Sequence, residues 1–437
     1  MTPTAFMHRS ILRFTRTLLL PLLAVGLILT GCDSSGSNGD DPGNTPGDDP
    51  GDDPSAFAYP STTYGEQTVV NLLAFDLGVR ASNASDNDAA TFDALYTGNA
   101  DDRTIRAVPA QNISTEGQSV YGDIATGVNL ADLTSDDVLI RSDQLEEPDS
   151  PNAGSLVNTD ELLGFYFQEA GANDVGPATS NGFVLNQFAE KMLLGTPIYG
   201  KGAAILSDFA DDGAVSSGDA AEQWDAAFGY FGFPRALEPF LDYANGEEGL
   251  ASGNALDVDD NGSVDLRSEY VHTWASYAIE RSAAAANTDG PSPDFARDAF
   301  SALVDGREAI ENGEDPSAQA ETALDAWEEV VAVNVIHYIN SMKSNLEGVS
   351  GTLEGPQGDS SGDVGEDAWG EAKAFAWNLQ FYSDQLSESQ LQTLHDRIGN
   401  DPPYGDLTAD DYTEDLNQAN QLLQEAYGFS DDNVAAW

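Results

Sequence analysis

Asp257-Val258-Asp259-Asp260-Asn261-Gly262-Ser263-Val264-Asp265 is the stretch of this chain whose residue types and spacing come closest to a chemical site. A hard cation is held by several oxygen donors at about 2.3–2.6 Å, and alternate positions of a tight loop can turn inward together to supply them. The stretch follows the calcium-loop pattern D-x-D-x-N-G-x-x-D. Asp257, Asp259, Asn261 and the Ser263 carbonyl take positions one, three, five and seven, and Asp265 takes position nine. Gly262 stands at position six, where the sharp turn needs it, and Val264 at position eight, where an aliphatic group packs inward. Position twelve departs from an EF-hand: Ser268 stands where the bidentate glutamate belongs, and Glu269 follows one residue late. The spacing therefore predicts a single calcium loop that acts as a structural clip, with Glu269 as a late ligand and a helix starting near Leu266. The plainer alternative is a solvated acidic turn, because 75 of the 437 residues are Asp or Glu. The glycine and valine in register favour the clip.

A second chemical signal is Leu29-Thr30-Gly31-Cys32. Arg9, Arg13 and Arg16 precede the apolar run Leu18 to Leu29, which is shorter than the about 20 residues a spanning helix needs. Basic residues, a short apolar run and small residues before a cysteine form a lipobox, so residues 1–31 read as a lipoprotein signal peptide and Cys32 as the lipidation site. Cys32 is the sole cysteine, and once lipidated it leaves no thiol for disulfides, nucleophilic catalysis or metal binding.

Other constellations fail on context. Glu269-x-x-His272 has the carboxylate–histidine spacing of di-iron bundles, which need a second such motif and two further glutamates; no second Glu-x-x-His exists. Gly358-x-Ser360-x-Gly362 matches a nucleophile elbow, but its Gly, Pro, Gln and Asp flanks read as a loop rather than an apolar strand. His337 reads as a structural histidine, and His395-Asp396 as a solvated pair on a helix surface. Trp224, Trp274 and Trp327 read as core.

These residues need elements to hold them, and the elements read as helices. Val69, Leu72, Leu73 and Leu77 recur at helical spacing and predict a helix over Thr68 to Val79. Asn83 to Asp88 and Asp143 to Asn152 are loop-like. Asn186 to Phe209 is helical with Gly and Pro interruptions, and Asp219 to Phe231 and Leu266 to Ala286 each carry one apolar face. Ser292-Pro293 and Asp315-Pro316 read as caps followed by proline in the first turn. The second of these opens a long helix, from Pro316 to about Leu346, with Ala323, Trp327, Val330, Val331, Val335 and Tyr338 as its buried stripe. Ser387-x-x-Gln390 is a capping box, and a final helix runs from about Ala409 to Tyr427. The fold class is all-α: a large helical-bundle domain over residues 57–437, in one or two packed bundles, with an irregular N-terminal part.

Residues 32–56, rich in Asp, Gly, Pro and Ser, bury too little apolar surface to fold and read as an acidic tether. Losing Arg9, Arg13 and Arg16 from the 17 basic residues takes the net charge from −58 to −61. Such self-repulsion is tolerable where salt shortens the Debye length to about 3 Å at 1 M, which points to a halophilic source. It excludes nucleic acid and acidic lipid as partners.

Several stretches resemble one family of exported bacterial lipoproteins, domain of unknown function 4856. They are Glu222 to Gly232 (EQWDAAFGYFG), the loop Asp257 to Glu269 continuing into Tyr270, Gly370 to Phe381 (GEAKAFAWNLQF), and Lys191 to Tyr199. That family in turn resembles the imelysin-like helical proteins. The resemblance implies a place in the cell envelope, on the outer membrane or cell surface, beside an outer-membrane receptor in iron or haem uptake. The imelysin signature G-x-H-x-x-E is absent: Asn340 and Ala275 follow His337 and His272 by three residues, so no peptidase or iron ligand set carries over. The expectation is a non-enzymatic binding or accessory lipoprotein. A carboxylate-dependent hydrolase or imelysin-like peptidase, and an adhesive or scaffolding surface protein, are the alternatives.

Overall fold

The computed structural model describes residues 56–81, 89–98, 100–106, 114–115, 117–134, 137–142, 158–172, 184–212, 219–245, 255–355 and 362–437. The signal sequence, Cys32, the tether as far as Ser55, the loop-like Asn83–Asp88 and Asp143–Asn152, and Ser360 lie outside the described residues, while Ala56 bridges to Ala236. Within them the protein is all-α, with isolated bridges such as Ala255–Tyr270 and Ser114–Ser263 in place of strands.

The helices in chain order are α1 (Gly65–Ala81), α2 (Ala89–Tyr96), α3 (Thr159–Ala172), α4 (Leu185–Met192), α5 (Lys201–Asp212), α6 (Ala220–Phe231) and α7 (Glu238–Asn245). There follow α8 (Thr273–Ala286), α9 (Phe295–Asn312), α10 (Ser317–Asn345), α11 (Glu366–Asn378), α12 (Glu388–Ile398), α13 (Ala409–Tyr427) and α14 (Asp431–Ala436). The predicted helix over Thr68 to Val79 lies inside α1.

Helix α10 is the axis of the core, packed by α5, α8, α9, α11 and α13. Ala323, Trp327, Val330, Val331 and Val335 are all buried, as their spacing predicts, while Tyr338 is half-buried. β-Branched valines lose rotamer freedom in a helix, and here burial outweighs that weak preference. The head of α10 is corrected by one residue: Pro316 is the capping residue rather than the first helical one, and Asp315 Oδ1, one place before it, accepts from the Ser317 amide at 3.0 Å. Helices α6 and α9 meet so closely that a Cβ on Gly306 would come within 2.0 Å of the Trp224 ring. Trp224, Trp274 and Trp327 are core residues, and the first two donate their indole N–H to the carbonyls of Leu303 and Leu194 at 2.7 and 3.0 Å.

The interrupted helix expected over Asn186 to Phe209 is α4, a π turn at Gly195–Gly200, and α5. The Tyr199 amide reaches back to the Leu194 carbonyl at 3.1 Å, and Asn378 Nδ2 donates to the Lys191 carbonyl at 3.0 Å. Side chains of α8 and α11 thus add a second donor to the Leu194 and Lys191 carbonyls, each of which already accepts a backbone amide.

Three further expectations are corrected. The helix placed at Leu266 begins at Thr273, because Glu269 and Tyr270 pair with Ala255 and Leu256 instead of coiling: the Leu256 amide donates to the Glu269 carbonyl at 3.1 Å. The cap placed at Ser292 is Asp294, whose carboxylate accepts from the Arg297 amide at 3.2 Å and also holds that guanidinium. His395 is not solvated. It is fully buried, on the same face of α12 as Leu391, Leu394 and Ile398, while Asp396 on the other face is exposed and pairs with Arg141 at 2.9 Å. The Ser387–Gln390 capping box and the helix Ala409–Tyr427 form as expected.

Candidate metal site

The loop from Asp257 to Glu269 hangs between the bridge at Ala255–Tyr270 and the start of α8. Its turn is built from side chain to backbone. Asp257 accepts from the amides of Asn261 at 3.0 Å and Gly262 at 2.8 Å, and Asp259 accepts from the Asn261 amide at 3.1 Å. Gly262 has φ +91°, the left-handed region that a β-carbon disfavours. Val264 is fully buried, as position eight predicts, and its amide donates to the Ser114 carbonyl at 2.8 Å.

Glu269 closes the loop. One carboxylate oxygen accepts from the amides of Val258 and Asp259 at 2.8 and 3.3 Å, and the other from the Asp265 amide at 2.9 Å. The residue that falls one place late for an EF-hand is therefore brought in, because a bridge rather than a helix follows the loop. Asp257, Asp259 and Glu269 each offer an oxygen within 4.8 Å of the others. Oxygens at about 2.4 Å from one shared cation lie no more than about 4.8 Å apart, so the group could hold a metal ion. Each carboxylate oxygen carries two acceptor sites, and an amide occupying one leaves the other available.

Electrostatics favour a cation there. Burial pushes the Glu269 carboxyl above its ordinary range, and the charge of Asp259 adds to that, against the pull of the three amides. A positive ion would offset both effects. All three donors are hard oxygens, which suit a hard cation rather than a soft metal.

Asp265 is not part of this group. Its carboxylate takes Arg267 Nε at 3.0 Å, Gln118 Nε2 at 2.6 Å and the Ser61 hydroxyl at 3.3 Å. Burial raises its pKa, but the bonds from Arg267 and Gln118 outweigh burial and hold it below the ordinary value. Asn261 and Ser263 stay in the loop, with Asn261 Oδ1 accepting from the Ser263 amide at 2.8 Å and from its hydroxyl at 2.6 Å. Sequence reading missed Gln118, Ser61 and Arg267, which come from distant chain or lie beside the pattern. Gln118 Oε1 also accepts from the Leu266 amide at 2.7 Å, so this one side chain fixes the exit of the loop.

Glu269 and His272 do not form a helical ligand pair, since both precede α8. His272 is buried, its Nε2 is 3.1 Å from the Leu266 carbonyl, and burial lowers its pKa to about 4. His337 Nδ1 lies 2.6 Å from the Trp437 carbonyl, and burial likewise lowers it to about 4. His395 packs 5.7 Å from the Trp377 ring, where burial and then Lys373 push it well below the usual histidine range.

No protein-family model, no curated protein and no solved structure matches this chain.

Proposed function

We propose that this chain is an exported, lipid-anchored protein of the cell envelope, a non-enzymatic binding or accessory protein whose helical domain is clipped by calcium. The convergence of Asp257, Asp259 and Glu269 oxygens within 4.8 Å of one another carries the calcium reading, with Gly262 and Val264 in register around it. The lipobox ending at Cys32 supports the anchor. The resemblance of Glu222 to Gly232 and of Gly370 to Phe381 to exported lipoproteins supports iron or haem uptake as the process, with an outer-membrane receptor as partner. Calcium here is structural: its ligands come from one short stretch and close it, leaving little of the ion open to a substrate.

Calcium titration of the purified chain, followed by its melting temperature in roughly 2 M salt where charge repulsion is screened, tests this. Saturable binding that raises the melting point is expected, because calcium at 100 times its Kd adds about 2.7 kcal/mol to the folded state. Asp257→Ala with Asp259→Ala should abolish both. Binding that survives those changes, or none at all, overturns the reading.

A further inference from the structure

Away from the loop, a dense gathering of ionisable side chains lies where α4, α8, α10 and α11 meet. Lys191, in the last turn of α4, is buried, with its ammonium 2.8 Å from Glu190 Oε1 and 3.3 Å from Glu371 Oε1 of α11. Tyr338 of α10 lies beside the Glu371 carboxylate and pulls its pKa down. Tyr277 of α8 lies beside Lys191, and Arg281 sits over the same ring at 5.7 Å, its Nε held by Asn334 Oδ1 at 3.0 Å. The groups facing Glu371 are thus Glu190 and Lys191 from α4, Tyr277 and Arg281 from α8, and Tyr338 from α10.

The two carboxylates on Lys191 are not equivalent. Glu190 is its neighbour in the same helix and is 26% exposed, so that bond ties no two elements together. Glu371 is 12% exposed and belongs to another helix, so its bond crosses the seam. Two turns along α11, Asn378 grips the Lys191 carbonyl, just ahead of the π turn. Helix α11 therefore holds α4 at both ends of one lysine, and only one of those holds can titrate.

We propose that Glu371 is a proton-operated latch on the α4–α11 seam: neutral, it keeps the seam closed, and ionised, it favours local opening of α4 and the π turn toward water. An ionised Glu371 must share an ammonium that Glu190 already uses, in a place that water barely reaches. Burial consequently dominates and pushes Glu371 up to about 7, against the pull of Lys191 and Tyr338. A carboxyl raised in the closed state and ordinary in the opened one favours closure in acid. That preference is lost progressively as pH climbs toward 7 and is gone above it. Opening only the seam rehydrates the charge without unfolding the domain.

Hydrogen exchange of the full chain from pH 5 to 8.5, corrected for intrinsic rates, tests the latch. Peptides covering residues 186–200 should lose protection roughly tenfold per pH unit up to about 7, relative to α13, and then level off. Glu371→Gln should hold those peptides at their acid-side protection throughout, and Tyr338→Phe should move the levelling to higher pH. Seam peptides that track α13 in the wild type, or an unchanged response in Glu371→Gln, would overturn the proposal. Glu329 of α10 is also raised to about 7, first by burial and then by Asp325 and Asp298, so Glu329→Gln must leave the response intact. A response that Glu329→Gln removes instead would sink the latch.

Discussion

The candidate metal loop and the α4–α11 seam both gather carboxylates, and they do so by opposite means. In the loop, Asp257, Asp259 and Glu269 come from one short stretch, and backbone amides aim them from below. No basic side chain is bonded to these three among the hydrogen bonds that build the loop, and a cation from solution suits the space between them. In the seam, Glu190 and Glu371 come from different helices, and the cation is the chain's own Lys191. An external ion can exchange, whereas a lysine cannot leave. A gathering of acids thus yields a group that could hold a metal ion in one case and a cluster around a buried lysine in the other, and what separates them is whether the sequence supplies the counter-charge. Salt should act mainly on Asp259, the exposed member of the loop's three, and far less on the buried Glu269 and on Glu371.

The comparison breaks most visibly if Lys191 can be removed without harm. Lys191→Met leaves Glu190 and Glu371 facing each other with no ammonium between them, and removing one partner of a buried pair costs about 3–5 kcal/mol. Denaturant unfolding at pH 8 should show that loss. At pH 5.5 it should shrink, because Glu371, already raised in the wild type, rises further without Lys191 and takes up its proton. A loss independent of pH would mean that the lysine acts through its packing alone. A smaller effect is expected at the loop. Glu269→Ala strips the acceptor from the amides of Val258, Asp259 and Asp265, worth about 1–3 kcal/mol in calcium-free buffer. It should also end any calcium-induced rise in melting temperature, which Lys191→Met should leave in place.

How much of this was legible in the sequence follows the same division. The loop was readable because Asp257 and Asp259 obey a local pattern, and Gly262 and Val264 do what their positions require. The all-α class was readable from apolar spacing, and the stripe of α10 packs as that spacing predicts. Local pattern failed where distant chain intervenes. A helix at Leu266 is a fair reading of Leu266 to Ala286, until Ala255 and Leu256 claim Glu269 and Tyr270. His395 beside Asp396 suggested a wet surface, although its place in the set Leu391, Leu394 and Ile398 marked the buried face. The seam had no sequence signal at all: Lys191 and Glu371 meet only because α4 and α11 pack.

Asp265 offers the smallest and sharpest test, because pattern and packing disagree about it. By position it is the ninth-place ligand; by contact it belongs to Arg267, Gln118 and Ser61. If packing decides, Asp265→Asn should leave calcium affinity within about threefold while lowering stability by about 1 kcal/mol, the scale of one weakened charged hydrogen bond. The pH dependence has a definite sign. Its bonds outweigh burial and hold the Asp265 carboxyl below the ordinary value, so its stabilising share is present at neutral pH and fades as pH falls through that lowered value. The asparagine variant has no such share to lose, and the two melting curves should converge in acid. A large drop in calcium affinity, with stability unchanged, would instead return Asp265 to the ligand set and show that Arg267 yields its place when the ion arrives.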